Sequence, residues 1–304
     1  MHRRHFLGFA AALGTNFSLP RSPARAQRHG LLVRRIPSSG EMIPVLGMGT
    51  WITFNVGRQE NLRAIRLKVL EEFFAGGGGL IDSSPMYGSS EDVIGFCLSN
   101  LPQQEKLFSA TKVWTLSKGA GEQQMTTSER LWKVDKFDLI QIHNLLDWKT
   151  HLETLSEWKA EGRLRYSGIT TSHGRRQEEF ASVMANETLD FAQFTYNIAD
   201  REAEMKLLPL AAERDMGVII NRPFQRGALI GKLKGKPLPG WVGEIGCKSW
   251  PQFLLKFVIS HPAVTCAIPA TSNPAHMREN LHAGRGMMPD AAMRKRMIDY
   301  VLDI

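Results

Sequence analysis

Three cysteines in 304 residues, no run of apolar residues long enough to span a bilayer, and little net charge mark what this chain is short of. Cys97, Cys247 and Cys266 allow one disulfide at most, and their spacing marks neither a pair nor a metal site. A transmembrane helix needs about 20 apolar residues, so no stable membrane anchor is expected. Four of the basic residues, Arg3, Arg4, Arg21 and Arg25, lie within the first 26, which carry no acid; without them the net charge of +8 falls to +4. That surplus suits a local anion site and not nucleic acid. Internal linkers and low-complexity stretches are also missing. At 43% apolar and 22% charged, the chain has ample material for one large folded domain.

The amino terminus is set apart. Arg3-Arg4-His5-Phe6-Leu7 is followed by the apolar stretch Gly8–Leu13 and then by Ala24-Arg25-Ala26 ahead of Gln27. This is similar to a twin-arginine export signal with a small-x-small cleavage site. The expectation is that residues 1–26 engage the twin-arginine export machinery, are removed, and leave a periplasmic or otherwise exported protein of residues 27–304.

From residue 31 onward strand and helix patterns alternate. Residues 31–36 and 42–46 flank Ser38-Ser39-Gly40-Glu41, a hairpin signal. Strands are expected at 45–51, 80–83, 106–113, 137–143, 164–170, 190–195, 217–221 and 264–269. Helices are expected at 59–75, 89–100, 122–133, 149–161, 174–185, 202–215, 249–260 and 274–284. Leu152, Leu155 and Trp158 share one helix face, and Gly162 can end that helix. Asn273 and Pro274 suit an N-cap and a first helical position. Met293, Met297 and Val301 add a C-terminal helix. Eight strands, each followed by a helix, predict an α/β fold: a (β/α)8 TIM barrel with an N-terminal β-hairpin and an extra C-terminal helix. A doubly wound open sheet is the competitor. Its Gly-x-Gly-x-x-Gly signature is missing, because Gly47-Met48-Gly49 leads into Thr50-Trp51-Ile52. Gly76–Gly79 is expected to stop a helix and not to hold phosphate.

Polar residues break three successive apolar strand patterns at their C-terminal ends, where barrel enzymes place their chemistry. Asp82 ends Leu80-Ile81-Asp82, with Tyr87 shortly after. Lys112 closes Phe108–Lys112, and His143 closes Leu139–His143. A carboxylate, a phenol, an ammonium and an imidazole together suit protonation of a carbonyl oxygen while hydride arrives from elsewhere.

Three segments occur in order and register: Ile81-Asp82-Ser83-Ser84-Pro85-Met86-Tyr87-Gly88-Ser89-Ser90-Glu91, Thr111-Lys112-Val113 and Gln141-Ile142-His143. On them the chain, from Gly47 to Leu281, resembles the aldo-keto reductases, and its leader resembles that of an exported subgroup. The resemblance implies a barrel that binds extended NADPH, or NADH, without a Rossmann motif and reduces a small-molecule carbonyl. It implies Tyr87 as general acid, Lys112 lowering the phenol pKa, Asp82 pairing with Lys112, and His143 orienting the substrate. No metal is implied.

The same resemblance assigns the cofactor Thr50, Trp51, Thr170, Thr171, Gln193, Asn221, Arg222, Pro223, Phe224, Arg226, Ala270, Thr271, Ser272, His276, Glu279 and Asn280. Thr171 stands where the family has an amide, and Asn221 where it has an aromatic stacked under nicotinamide. Arg222 and Arg226 would meet the pyrophosphate. Thr271, Ser272 and a helix N-terminus would meet a 2′-phosphate, with no lysine at Ala270 and no arginine at His276; Arg278, Lys232 and Lys234 would add charge. Trp51 and Trp114 would line the substrate pocket. Two other readings remain open: a slow, regulatory cofactor-binding protein on the same fold, like the family's ion-channel subunits, and a lyase using Lys112 as a Schiff base.

Overall fold

The computed structural model describes residues 30–101, 106–172 and 176–304. The expected leader, residues 1–26, lies outside the described residues, as do residues 174 and 175 at the start of the helix expected over 174–185. Strands β1 (Val33–Arg35) and β2 (Met42–Pro44) pair antiparallel across the expected turn, where Gly40 has φ +81°. Eight parallel strands then neighbour one another in chain order: β3 (Met48–Gly49), β4 (Leu80–Asp82), β5 (Phe108–Val113), β6 (Phe137–His143), β7 (Leu164–Thr170), β8 (Phe191–Thr195), β9 (Gly217–Asn221) and β10 (Cys266–Ala267). The sheet closes on itself. The Gly47 amide donates to the Ala267 carbonyl at 2.9 Å, the Ala267 amide to that of Val45 at 2.9 Å, and parallel bridges join Leu46 to Ala267 and Gly49 to Ala270. This is the (β/α)8 barrel the alternation predicts, and the hairpin seals its floor with Ile36 and Ile43 against Phe108 and Tyr166.

Strand periodicity sorts the side chains. Leu80, Ala110, Leu139, Phe191, Ile219 and Cys266 pack together inside the barrel. Their neighbours Ile81, Ile140, Ile142, Ala192, Val218 and Ile220 pack outward in the larger cluster shared with the helices. Two residues along each strand from the inner apolar layer, the same inward face carries Asp82, Lys112, Gln141 and Gln193. One closed sheet thus presents an apolar middle and a polar top.

The helices are α1 (Glu60–Ala75), α2 (Ser90–Ser99), α3 (Lys118–Trp132), α4 (Trp148–Ala160), α5 (Gln177–Asn186), α6 (Leu207–Glu213), α7 (Ala228–Leu233), α8 (Trp250–Ile259), α9 (Pro274–His282) and α10 (Ala291–Leu302). As expected, Asn273 caps α9 by accepting from the Ala275 amide at 2.9 Å, and Met297 and Val301 bury α10. Gly76 ends α1, and the Gly78 amide bonds back to the Phe73 carbonyl at 2.8 Å, so the glycine run is a helix stop.

Three expectations need correction. The helix over 202–215 divides into a short 3₁₀ turn at Glu202–Glu204 and α6, because Pro209 has no amide hydrogen and is tolerated only in a first turn. α3 starts at Lys118 and not at 122; Gly119 and Gly121 hid that turn from propensity, and a side chain at Gly121 would meet the His151 ring at 2.7 Å. The alternation is also broken after β9, where α7 and a 3₁₀ turn at Val242–Ile245 precede α8. The three cysteines are buried and free, and burial pushes the Cys97 thiol up to about 12 and the Cys247 thiol up to about 11. Among the described residues, no helix is long and apolar enough to cross a membrane.

Gly47 and Gly49 belong to the barrel seam. A Cβ on Gly47 would stand 2.7 Å from the Leu80 carbonyl oxygen and 3.1 Å from the Cys266 sulfur, and one on Gly49 would stand 2.9 Å from the Ile268 carbonyl oxygen. Gly47→Ala should therefore destabilise the fold by about 1–3 kcal/mol, the range for overpacked sites. Urea unfolding measures this, and an unchanged midpoint would show that the seam has slack.

Candidate active site

The polar top of the barrel is built around one buried ion pair. The Lys112 ammonium donates to Asp82 Oδ2 at 2.6 Å and to the Ser83 carbonyl at 2.6 Å, and the two residues are 0% and 2% exposed. The other carboxylate oxygen, Oδ1, accepts from Gln141 Nε2 at 3.1 Å and from Gln193 Nε2 at 3.0 Å. Thr170 donates to the Gln193 carbonyl at 2.9 Å, which fixes the direction of that amide. Strands β4, β5, β6, β7 and β8 thus meet in one hydrogen-bonded cluster. Thr50 is buried beside it, donating to the Asp82 carbonyl or the Ser83 hydroxyl at 2.9 Å each, and it lines neither of the two hollows described next. A second buried carboxylate, Glu91 on α2, accepts from Thr111 at 2.5 Å, Ser128 at 2.8 Å and Trp132 at 3.2 Å.

Tyr87 reaches the cluster from the turn after β4, where its amide bonds the Ser84 carbonyl at 3.0 Å and Gly88 takes φ +62°. The Lys112 nitrogen lies 5.3 Å from the centre of the phenol ring. The His143 ring meets the Tyr87 ring edge-on at 5.9 Å, and its Nδ1 lies 3.0 Å from the Ser84 hydroxyl. Burial raises the phenol pKa above the ordinary 10.0; the Lys112 charge and hydrogen bond pull it down, and the Asp82 charge adds to the rise. Lys112 thus lowers the phenol pKa as expected, while burial makes the net direction upward. Burial pulls the Lys112 pKa down, and the Asp82 carboxylate opposes it by charge and hydrogen bond; the net direction is upward. At neutral pH the site therefore holds a protonated phenol beside a charged ammonium.

A cavity of about 280 Å³ opens above these groups, with Tyr87, His143, Asp82, Thr170, Gln193 and Asn221 among its lining. A trench of about 420 Å³ adjoins it and shares Trp51, Arg222, Arg226 and Ile268. Pro223, Phe224, Ala270, Thr271, His276, Glu279 and Asn280 line the trench as expected. Ser272 does not line it; its carbonyl accepts from Arg66 at 3.4 Å. Arg278 pairs instead with Glu72 on α1. Thr171 faces a different hollow of about 490 Å³, because strand alternation turns it away from Thr170. Asn221 has both amide ends engaged, accepting from Thr195 at 2.8 Å and donating to the Thr171 carbonyl at 2.9 Å. Trp114 is 40% exposed, with its ring 6.4 Å from that of His143.

The trench suits an extended anionic ligand. Among the described residues the Arg222 guanidinium has no hydrogen-bond or ion-pair partner, and that of Arg226 rests only on the Trp51 ring, 4.5 Å from its centre. Two unneutralised cations where trench and cavity meet suit an anionic group there. Gln141, Glu91, Ser84 and Asn144 are site residues that sequence reasoning did not single out. Gln141 was findable: it is a polar residue on the inward face of β6, two positions before His143.

Comparison with known proteins agrees with this geometry. The Aldo/keto reductase family model matches residues 45–295. An aldo-keto reductase of Strobilurus tenacellus is 30% identical over 182 residues, covering 56% of this chain and 53% of that protein. The chain thus spans about half the length of that curated relative. An NADH-specific methylglyoxal reductase of Escherichia coli is 27% identical over 244 residues, covering 68% of this chain and 71% of that protein. Among solved structures, an aldo-keto reductase from Klebsiella pneumoniae in complex with NADPH superposes with a TM-score of 0.75 at 22% identity, covering 89% of this chain and 95% of that one.

The ion pair can be tested by a double-mutant cycle. Asp82→Leu leaves the Lys112 ammonium buried with one carbonyl and should cost about 3–5 kcal/mol. Adding Lys112→Met should recover most of that loss in chemical unfolding. Additive losses would mean that the two side chains act independently.

Proposed function

Because the chain belongs to the aldo/keto reductase family, we propose that it reduces an aldehyde or ketone to an alcohol with a reduced nicotinamide dinucleotide, the proton coming from Tyr87. The observation that carries this is the meeting of Tyr87 and His143 at one cavity that adjoins a cationic trench, with the buried Lys112 nitrogen 5.3 Å from the centre of the phenol ring. When bound, the dinucleotide supplies hydride to the carbonyl carbon. His143 and Tyr87 hold the carbonyl oxygen, and the Tyr87 hydroxyl gives its proton to that oxygen. The resulting phenolate is stabilised by the Lys112 ammonium, and Asp82 keeps that ammonium in place. A Schiff-base role for Lys112 is disfavoured, because its nitrogen is wholly buried against Asp82 and the Ser83 carbonyl and does not line the cavity.

NADPH is the proposed cofactor, with NADH a close second. The Klebsiella structure holds NADPH, whereas the Escherichia coli relative is NADH-specific. In this chain Ala270 and His276 bring no permanent charge to the trench end, which leaves Thr271 and the N-terminus of α9 for a 2′-phosphate. Trp51 and Met86 line the cavity, and the exposed Trp114 ring lies 6.4 Å from that of His143, which suits a small carbonyl compound. We also propose export. Arg3-Arg4, the apolar stretch Gly8–Leu13 and Ala24-Arg25-Ala26 support a cleaved twin-arginine leader and a periplasmic or otherwise exported mature protein.

Tyr87→Phe should lower carbonyl reduction about 10²–10⁴-fold, the range for a general acid. Fluorescence titration should show both dinucleotides binding the variant as they bind the wild type. Since the phenol must be protonated and its pKa lies above 10.0, wild-type reduction should stay level through neutral pH and fall only in the alkaline range. Equal turnover in the variant would remove Tyr87 as the acid. For export, N-terminal sequencing of material from outside the cytoplasm should begin near Gln27, and an intact Met1 there would refute cleavage.

A further inference from the structure

Gln141 makes a bond that its own strand does not require. It lies on the inward face of β6, between Leu139 and His143, and is wholly buried. In the β5–β6 register it stands directly opposite Lys112. Its Nε2 donates to Asp82 Oδ1 at 3.1 Å. Its Oε1 is buried and has no hydrogen-bond partner. A buried carbonyl without a donor is costly, and native interiors avoid it. An apolar side chain of similar volume would escape that cost. Only the donor end of the amide is thus bonded.

We propose that Gln141 is a positioning residue for proton delivery: with Gln193 it clamps one Asp82 oxygen so that the other faces Lys112. The clamp closes from two sides, with Gln193 on β8 at 3.0 Å and Gln141 on β6 at 3.1 Å holding the same oxygen. Two donors on Oδ1 stop the carboxylate rotating, and Oδ2 then holds Lys112 at 2.6 Å. Gln193 is itself steered by Thr170, whereas the orientation of the Gln141 amide is set by Asp82. The charged and titratable groups around the pair and the phenol are Tyr87 from the turn after β4, Glu91 from α2, His143 from β6, Arg222 just after β9 and Cys266 from β10. None of them can replace a donor on Oδ1 from the position of Gln141.

This inference rests on the reading of Tyr87 and Lys112 as the proton-delivering pair, and its test separates the two. Gln141→Met keeps volume, removes the donor and also removes the orphan carbonyl. A lost charge-assisted bond and a relieved unsatisfied acceptor are of similar size, so the melting temperature should stay within a few degrees of wild type. The kcat should fall about tenfold or more, while the KM for dinucleotide stays within about twofold. The alkaline limb of the kcat profile should move to higher pH, because a loosened ammonium stabilises the phenolate less. Unchanged kcat would overturn the proposal. So would a large fall in melting temperature with loss of dinucleotide binding, which marks a structural role. An activity-independent measurement is acetylation of Lys112 followed by mass spectrometry. The variant should show severalfold faster labelling of Lys112 than the wild type, and equal protection would overturn the clamp. A wild-type protein that reduces no carbonyl would sink the proposed function, and the labelling result would still decide the role of Gln141.

Discussion

The Lys112–Asp82 ion pair is the constraint on which the rest depends. Removing two charges from water costs several kcal/mol per ion, and attraction repays this only when geometry is good and the remaining polar atoms are satisfied. Here the ammonium holds a carboxylate oxygen and a backbone carbonyl, and the carboxylate holds two amides besides. Those partners come from β4, β5, β6 and β8, which are not all neighbours in the sheet. They converge only if the barrel is closed. Closure in turn depends on the seam, where Gly47 and Gly49 let β3 and β10 approach closely. A steric property of two glycines near the start of the barrel thus underwrites the electrostatics at its centre.

The pair shapes Tyr87 in two opposing ways. Burial favours the neutral phenol, the Lys112 charge favours the phenolate, and burial prevails in the unliganded site. That balance suits an acid. In the proposed reaction the group would keep its proton until a carbonyl oxygen gains negative charge beside it, and the ammonium would then stabilise the phenolate left behind. Glu91 contributes from below. Its carboxylate is raised by burial and opposed by three hydrogen bonds, and its charge helps to keep Lys112 protonated. Two buried carboxylates therefore support one ammonium, the near one by contact and the far one through the field.

Much of this was legible in the sequence because strand alternation is unforgiving. Asp82, Lys112 and His143 interrupt apolar patterns on faces that must point inward, and a polar residue there needs a partner. The barrel followed from eight such strands. What stayed hidden depended on long-range packing. The first turn of α3 was masked by Gly119 and Gly121, one of which is needed to clear the His151 ring from another helix. The outward turn of Thr171 was available from period two, yet the family motif drew it toward the cofactor. The net direction of the Tyr87 shift required knowing its burial, which no local pattern encodes.

The loop after β9 shows strain concentrated beside the trench. Arg222, Gln225 and Arg226 all take left-handed backbone angles, with φ of 50°, 48° and 58°, and Gly227 follows at 93°. For residues with a Cβ this conformation costs on the order of 1 kcal/mol each. Two contacts hold the loop in place: Asn197 donates to the Arg222 carbonyl at 3.2 Å, and Trp51 stacks under Arg226. The strain has a consequence for electrostatics, because it brings two guanidinium groups onto one short loop where each disfavours the other. Arg222 is lowered by burial first and by Arg226 second. A loop that stores both strain and like-charge repulsion gains most from an anion that bridges its two cations. Backbone strain and two neighbouring cations thus make this wall of the trench suited to an anionic group.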